Sequence, residues 1–508
     1  MKNSLHIIVQ AGGRGSRLRH HTWNKPKCLV SVNGKPLLYH LFERFPDASF
    51  SIIGDYCFDQ LEKFLKINPP AIEYQLIKAD GHGTSSGISS ALSLLDGKQP
   101  VALIWSDLLV EGIPIFADGD KPLVFTTSAF TCRWSASIDG TLKDEPSSIS
   151  GIPGLFYFPQ AQMLPHPPIS GEFVKWFAAN ILNFSLSNFN DIKELGDFSA
   201  IETANDAAGF SRFFNEVKIS ETTVTKRAID TAYQNLIVKE QAWYREANRL
   251  GFRRIPRVLS EQPFTLERVQ GQHLYQINDL SIREQRAVMA DYIDALTSLH
   301  DKGSMETRAD EVIDVYLKKT IDRVMSVAPL IPNFDQESMT INGRKCRNVF
   351  ADKHQGLIES LMPGLMPERF TPIHGDATFS NSLVDNKLRT WFIDPRGYFA
   401  KPGIMGDPWY DFAKVFYSAV GGYDSFNRRK FKLHIDNQSV EVLLEEPRYA
   451  NTAREIFKDY FGDEMARIEI LHGLIWLALS GYARDDIDSV IGSFYLGLYW
   501  LESGSAKL

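Results

Sequence analysis

The chain has 508 residues, too many for one hydrophobic core, and this predicts two or three domains. Hydrophobic residues make up 44% and charged residues 23%, an ordinary globular composition, and a net charge of −7 argues against a nucleic-acid binder acting through a broad basic surface. Four scattered cysteines with no CxxC pair carry no zinc signature and favour a reducing compartment, and no stretch approaches the roughly 18 apolar residues of a membrane span, so a cytoplasmic protein without a signal peptide is expected.

Residues 5–11, LHIIVQA, read as a short buried strand. It runs into GGRGSRLRHHTWNKPKCLVSVNGKPLL. Glycines 12, 13 and 15 let backbone N–H groups approach an anion closely, and Arg14, Arg17 and Lys27 add positive charge around it. A strand, a glycine loop and spaced cations suit a triphosphate. The stretch is not a Walker A motif, because no GK[ST] follows, nor a dinucleotide fingerprint, because Leu18 stands at the third glycine. From the glycine loop through Pro26-Lys27 to the NGKP run it resembles the signature of the sugar-phosphate nucleotidyltransferases, a superfamily that includes bacterial phosphocholine cytidylyltransferases. The resemblance implies an α/β domain with a Rossmann-like mixed sheet over residues 1–212. It also implies that Ala11, Gly12, Gly13, Arg14 and Gly15 bind nucleotide, and that Arg17 and Lys27 act catalytically as pyrophosphate leaves. Residues 78–91, KADGHGTSSGISSA, resemble the family loop that closes on the base, with Gly83 and Thr84 at the nucleotide. Residues 101–107, VALIWSD, form an apolar strand ending in Asp107, where open α/β sheets bind ligands; by resemblance Asp107 is a Mg²⁺ ligand. The second metal carboxylate departs from the family pattern. In DIKELGDFSAIETA, Glu194 occupies the expected aspartate position, with Asp191 and Asp197 nearby.

Residues 217–230, VKISETTVTKRAID, alternate as strands do, and a helical stretch then runs to a C-cap at Gly251. FTLERVQG, residues 264–271, reads as a strand leading into a turn. A helical region follows, ending in LTSLHDKG. In residues 371–397, TPIHGDATFSNSLVDNKLRTWFIDPRG, a short loop and a hairpin bring Asp376, Asn381 and Asp394 toward one point. Phosphoryl transfer needs such a set: one carboxylate to take the proton of the attacking hydroxyl, and oxygen ligands to hold Mg²⁺ against the phosphates. The stretch resembles the catalytic and metal-binding segments of the aminoglycoside phosphotransferase and choline kinase superfamily, whose fold is similar to that of protein kinases. The resemblance implies an α+β bilobal kinase-like domain, with an N-lobe at 213–275 and a C-lobe at 276–508. It makes Asp376 the catalytic base, Asn381 and Asp394 the Mg²⁺ ligands, and Lys226 the phosphate-binding lysine. Glu240, in preference to Glu246, pairs with Lys226, and Glu267 and Val269 form the adenine hinge. Asp411 holds the catalytic loop, while His300 is structural. The aromatic-rich tail from residue 441 reads as helices, in which Trp476, Tyr495 and Trp500 are core or line an acceptor pocket.

The kinase half departs from choline kinases twice: Gly375 stands where they carry asparagine, and Pro395-Arg396-Gly397 follows Asp394 where they carry an aromatic-Glu-Tyr run. That version resembles kinase-like proteins encoded with bacterial capsule and surface-polysaccharide genes. A kinase makes a phosphate monoester and a nucleotidyltransferase consumes one. The expectation is therefore a bifunctional enzyme that uses ATP, then CTP or another NTP, with Mg²⁺ at both sites and a small-molecule substrate. Two rivals stand beside it: a kinase whose first domain only senses a nucleotide, and a protein kinase, against which the missing Asp-Phe-Gly segment argues.

Overall fold

A computed structural model describes residues 5–116, 119–137, 139–208 and 215–507, and in it the chain falls into two units. The first is Met1–Gly209 with Arg484–Asp488; the second is Phe210–Ala483 with Ser489–Leu508. The boundary expected after residue 212 lies outside the described residues.

In the first unit the opening apolar run becomes β1 (His6–Gln10). It joins β2 (Ser49–Gly54), β3 (Tyr74–Lys78), β4 (Val101–Trp105), β5 (Leu123–Thr126), β6 (Leu155–Phe158) and β7 (Ser185–Asn188) in the order β7-β5-β6-β4-β1-β2-β3. β1 pairs in parallel with β2 and β4, β2 with β3, and β5 with β7, while β6 runs antiparallel between β4 and β5. Parallel neighbours need crossovers, and the helices Leu37–Arg44, Phe58–Ile67 and Ile88–Leu92 supply them. A strand covered on both faces is apolar at successive positions, and Ile7, Ile8 and Val9 are all fully buried. The chain order reverses at β1, which has β2 on one side and β4 on the other. Loops leaving the carboxyl ends of such strands meet at a ligand-binding crevice. The glycine loop leaves β1 there, and Asp107 lies two residues past the end of β4.

The segment Arg484–Asp488 completes this unit. Lys25, itself buried, places its ammonium between Asp486, at 2.6 Å, and Asp488, at 2.8 Å. Burial works against that charge, but the two carboxylates outweigh it and hold Lys25 above its ordinary value. Arg484 Nε donates to Asn68 Oδ1 at 2.7 Å.

The second unit opens with an antiparallel sheet of β8 (Asn215–Ile219), β9 (Thr223–Ala228), β10 (Val258–Glu261) and β11 (Phe264–Glu267), ordered β8-β9-β11-β10. Helix α1 (Gln234–Arg249) follows β9 and ends, as expected, before Gly251, whose φ is +78°. Helical structure then dominates: α2 (Ile282–His300), α3 (Pro408–Ala419) and α4 (Met465–Tyr482). Ser281 begins α2 with a capping box to Glu284. The tail is not all helix. Ser439–Leu444 is a strand paired with Phe431–Ile435, because SVEVLL alternates with period two, burying Val440 and Val442 and exposing Glu441 and Leu443. Trp476 and Tyr495 are fully buried core residues, and Trp500 packs against the core half-buried. All four cysteines are free thiols, and among the described residues no helix is long and apolar enough to cross a membrane.

Candidate active sites

The first site forms around the loop after β1. Ala11 is pinned by its N–H donating to Ile53 O at 2.8 Å. Gly12 leaves no room for a side chain, since a Cβ there would lie 2.9 Å from that of Asp55. Gly13 and Arg14 are exposed, with Arg14 over the Tyr56 ring at 5.4 Å, and Gly15 turns through φ +63° into the helical turn that carries Arg17. Lys27 pairs with Asp107, and Arg17 pairs with Glu194 at 3.1 Å. A short ladder explains why these pairs adjoin: Ile192–Glu194 runs antiparallel to Leu108–Val110 with Glu194 opposite Leu108, and Leu195 N–H donates to Asp107 O at 2.8 Å. A side chain at Gly196 would meet Glu194 Oε1, Arg17 Nη2 and Asp107 Oδ2 together, at 2.6, 3.0 and 3.2 Å from its first carbon. Of the three acids weighed from sequence, Glu194 is thus the one beside Asp107. Asp191 packs against Gly112, and Asp197 accepts from the N–H of Ala200 at 2.9 Å in the first turn of the following helix. Burial, and then the Asp107 carboxylate, push the Glu194 carboxyl above its ordinary value against the pull of Arg17 and Lys27.

Gly83 and Thr84 are tied to the same loop by Gln10 at the end of β1, whose Nε2 donates to Thr84 O at 2.8 Å and Ser86 O at 2.9 Å. Gly83 has φ +86° and lies so close to Gly171 that a Cβ would stand 2.4 Å from its carbonyl oxygen.

The second site lies in the second unit. Lys226 on β9 is buried and pairs with Glu240 on α1 at 2.6 Å and with Asp394. Glu246, on another face of α1, pairs with Arg249 instead. The hairpin expected between Asn381 and Asp394 is present, Ser382–Val384 against Thr390–Phe392, and Ile393 N–H donates to Asn381 O at 2.9 Å. Asn381 Nδ2 donates to Asp376 Oδ2 at 2.8 Å, so the structure joins Asp376 to Asn381 and Lys226 to Glu240 and Asp394, and the Ile393–Asn381 backbone bond links the two groups. Asp411, fully buried, accepts from the N–H groups of His374 and Gly375, both at 2.7 Å, and lies 3.1 Å from His300 Nε2. His300 therefore braces the residue that holds the loop. Val269 has no backbone hydrogen bond among the described residues, whereas Glu267 has partners of its own, its N–H donating to Arg257 O at 2.9 Å and its carboxylate pairing with the Arg257 guanidinium at 2.7 Å.

One residue escaped the sequence reading. Lys414 Nζ lies 3.0 Å from Asp376 Oδ1. Burial disfavours its charge, but Asp376 prevails and raises it above the ordinary lysine value. The signal was within the DPWYDFAK run: Lys414 is three residues after Asp411 on α3, so both project toward the loop of residues 374–376.

Each site has a donor set that fits Mg²⁺. Asp107 and Glu194 are adjacent carboxylates, and Glu194 is held back from ionising by burial and then by Asp107, the second of which a divalent cation would relieve. Asp394 offers a carboxylate, and Asn381 offers its amide oxygen, its nitrogen being the donor to Asp376. Hard oxygen ligands of this kind suit Mg²⁺ bound with substrate phosphates.

Residues 7–110 match the MobA-like NTP transferase domain, and residues 202–431 match the phosphotransferase enzyme family. The chain carries two transferase domains. The nucleotidyltransferase domain is similar to the mannose-1-phosphate guanylyltransferase catalytic subunit beta of Drosophila pseudoobscura pseudoobscura, 30% identical over 116 residues that are 22% of this chain and 31% of that one. It is similar also to the N-acetylmuramate alpha-1-phosphate uridylyltransferase of Neisseria meningitidis serogroup B, 35% identical over 114 residues that are 21% of this chain and 48% of that one. The chain thus spans less than half the length of either relative. Among solved structures, the CTP:phosphocholine cytidylyltransferase from Streptococcus pneumoniae aligns with 40% of this chain and 99% of its own, at 19% identity and a TM-score of 0.33.

Proposed function

We propose that the chain is a bifunctional enzyme that phosphorylates a small hydroxyl compound with ATP and then transfers a nucleotidyl group to the new phosphate. In the phosphotransferase domain the acceptor hydroxyl oxygen bonds to the γ-phosphorus and the bond to ADP breaks. The hydroxyl proton passes to Asp376, whose carboxylate is oriented by Asn381 and Lys414. In the nucleotidyltransferase domain an oxygen of the resulting monoester bonds to the α-phosphorus of an NTP and pyrophosphate leaves, with Lys27 and Arg17 balancing its charge. Mg²⁺ at Asp107 and Glu194, and at Asn381 and Asp394, would supply the neutralisation of polyphosphate charge that both reactions need. The observation that carries this reading is the pairing of the two domain types on one chain, since the product class of one is the substrate class of the other. CTP is the favoured nucleotide, on the resemblance of the first domain to phosphocholine cytidylyltransferases. Because the names of relatives include guanylyl and uridylyl transfer, the test covers every base. The product would be an activated precursor for surface polysaccharide.

Phosphorus NMR of the full chain with MgATP, pooled alcohols, amino alcohols, polyols and sugars, and CTP, UTP, GTP or dTTP in turn tests the reading. The expected result is a monoester signal that converts to a diphosphate diester as pyrophosphate appears. Asp376→Asn should lower phosphorylation by about 10²–10⁴ and spare nucleotidyl transfer to a supplied monoester, and Lys27→Ala should do the reverse. Loss of both activities in either folded variant would refute independent sites. A monoester that accumulates under every triphosphate would mean a first domain that only senses nucleotide.

A further inference from the structure

Around Lys414, which pairs with Asp376, the phosphotransferase domain gathers three more cations, Arg396, Lys319 and Arg323. Arg396 donates to the Tyr410 hydroxyl at 3.0 Å and lies 4.2 Å from the centre of the Tyr398 ring. Arg323 donates to Ala478 O at 3.2 Å and sits 5.6 Å from the Tyr482 ring. Lys319 is half-buried. Among the described residues no carboxylate forms an ion pair with Lys319, Arg323 or Arg396. Burial, followed by Arg396, Arg323 and Lys414, pushes the Lys319 ammonium down to about 6. Half-buried cations ordinarily have counter-charges; here Lys319 and Arg323 have no carboxylate partner and feel the repulsion of Arg396, while Arg396 has only the charge of Asp376 beyond ion-pair distance, and such a group makes a receptor for an anion.

The backbone is shaped to put Arg396 there. Gly375 has φ +80°, and a Cβ at that position would lie 3.0 Å from the Arg396 Cβ. Gly375 thus lets the backbone just before Asp376 pass close against that of Arg396. Both Arg396 and Lys414 reach from immediate neighbours of the loop of residues 374–376, so these two cations stand near the group that takes the acceptor's proton. Lys226, on the sheet, pairs with Glu240 and Asp394 and belongs to a separate set.

We propose that the acceptor of the phosphotransferase domain is a hydroxylated small molecule that already carries an oxyanion, a phosphate or a carboxylate, bound by Lys319, Arg323 and Arg396. This rests on the kinase reading and narrows it, because the same cluster repels choline and other cationic alcohols.

The test uses the full chain with MgATP and matched acceptors: glycerol, glycerate and glycerol 3-phosphate; glucose, gluconate and glucose 6-phosphate; choline and ethanolamine. ADP formation is followed. An anionic member should exceed its neutral partner at least about a hundredfold in kcat/KM, and the phosphate and carboxylate arms tell which oxyanion is taken. Lys319→Gln should then raise the KM for that acceptor by about tenfold or more, as loss of a charged partner does, and leave the KM for ATP within about twofold. A neutral or cationic acceptor in the lead overturns the inference and leaves the kinase reading standing. A rise in the KM for ATP alone overturns it too, by assigning the cluster to the nucleotide. If no acceptor yields ADP, the kinase reading fails and the inference with it.

Discussion

Glu194 carries one methylene more than the aspartate its position resembles, yet its carboxylate reaches Arg17 and adjoins Asp107. Sequence favoured Glu194 over Asp191 and Asp197 by its position in the motif alone, and the physical reason is the ladder register that sets Glu194 opposite Leu108. Glu240 was likewise preferred to Glu246 on family spacing: six positions apart on one helix, the two face different ways, and packing against β9 brings Glu240 to Lys226. Lys414 was missed, since a lysine inside an apolar helix reads as a solvated residue until the loop it faces is known. At this scale the expectation is that Glu194→Gln lowers nucleotidyl transfer at least about tenfold and raises the Mg²⁺ needed for half-maximal rate. Asp191→Asn and Asp197→Asn should each stay within about threefold of the unaltered enzyme. Pyrophosphate release against Mg²⁺ concentration checks all three.

Elements were the most legible level. Strand β1, the glycine loop, the helix ending before Gly251 and the hairpin after Asn381 all follow from local pattern and turn chemistry. The strand Ser439–Leu444 did not, because an aromatic-rich tail hid a six-residue alternation. Strand β1 also holds a titratable group that pattern alone does not weigh. His6 is buried, with its two ring nitrogens 2.7 and 2.9 Å from the hydroxyls of Ser49 and Ser51 on β2. Burial lowers it from 6.5 to about 4. A depressed folded value means that the stabilisation is complete above pH 6.5 and is lost as pH falls through about 4, a difference on the order of 3 kcal/mol. The advantage of the unaltered protein over His6→Gln should therefore shrink between pH 6.5 and 4 and be constant above pH 7. Melting temperatures of both proteins across that range give the answer, and a constant difference throughout would show that His6 does not titrate with folding.

For the whole molecule, length and the two motif sets indicated two catalytic units, but nothing in the sequence announced that the first takes in residues 484–488. Such a segment has no periodicity or motif to mark it; its role appears only in the burial of Lys25 between Asp486 and Asp488. Removing one side of a buried ion pair costs about 3–5 kcal/mol. A fragment of residues 1–209 should therefore melt well below the corresponding transition of the full chain. Lys25→Met should raise the melting temperature of the fragment and lower that of the full chain, and differential scanning calorimetry reads both signs. A shift of the same sign in both would place the stability of Lys25 elsewhere.

A domain that takes in residues written more than 270 positions after its others does not carry all its contacts in one stretch of gene. A single crossover anywhere between codons 209 and 484 separates a lysine from the two acids that neutralise it. Relatives that exchange one half of this chain for another should therefore carry a neutral residue before Pro26, or acids supplied from within their own first domain, and the joint record of those positions would date the exchange.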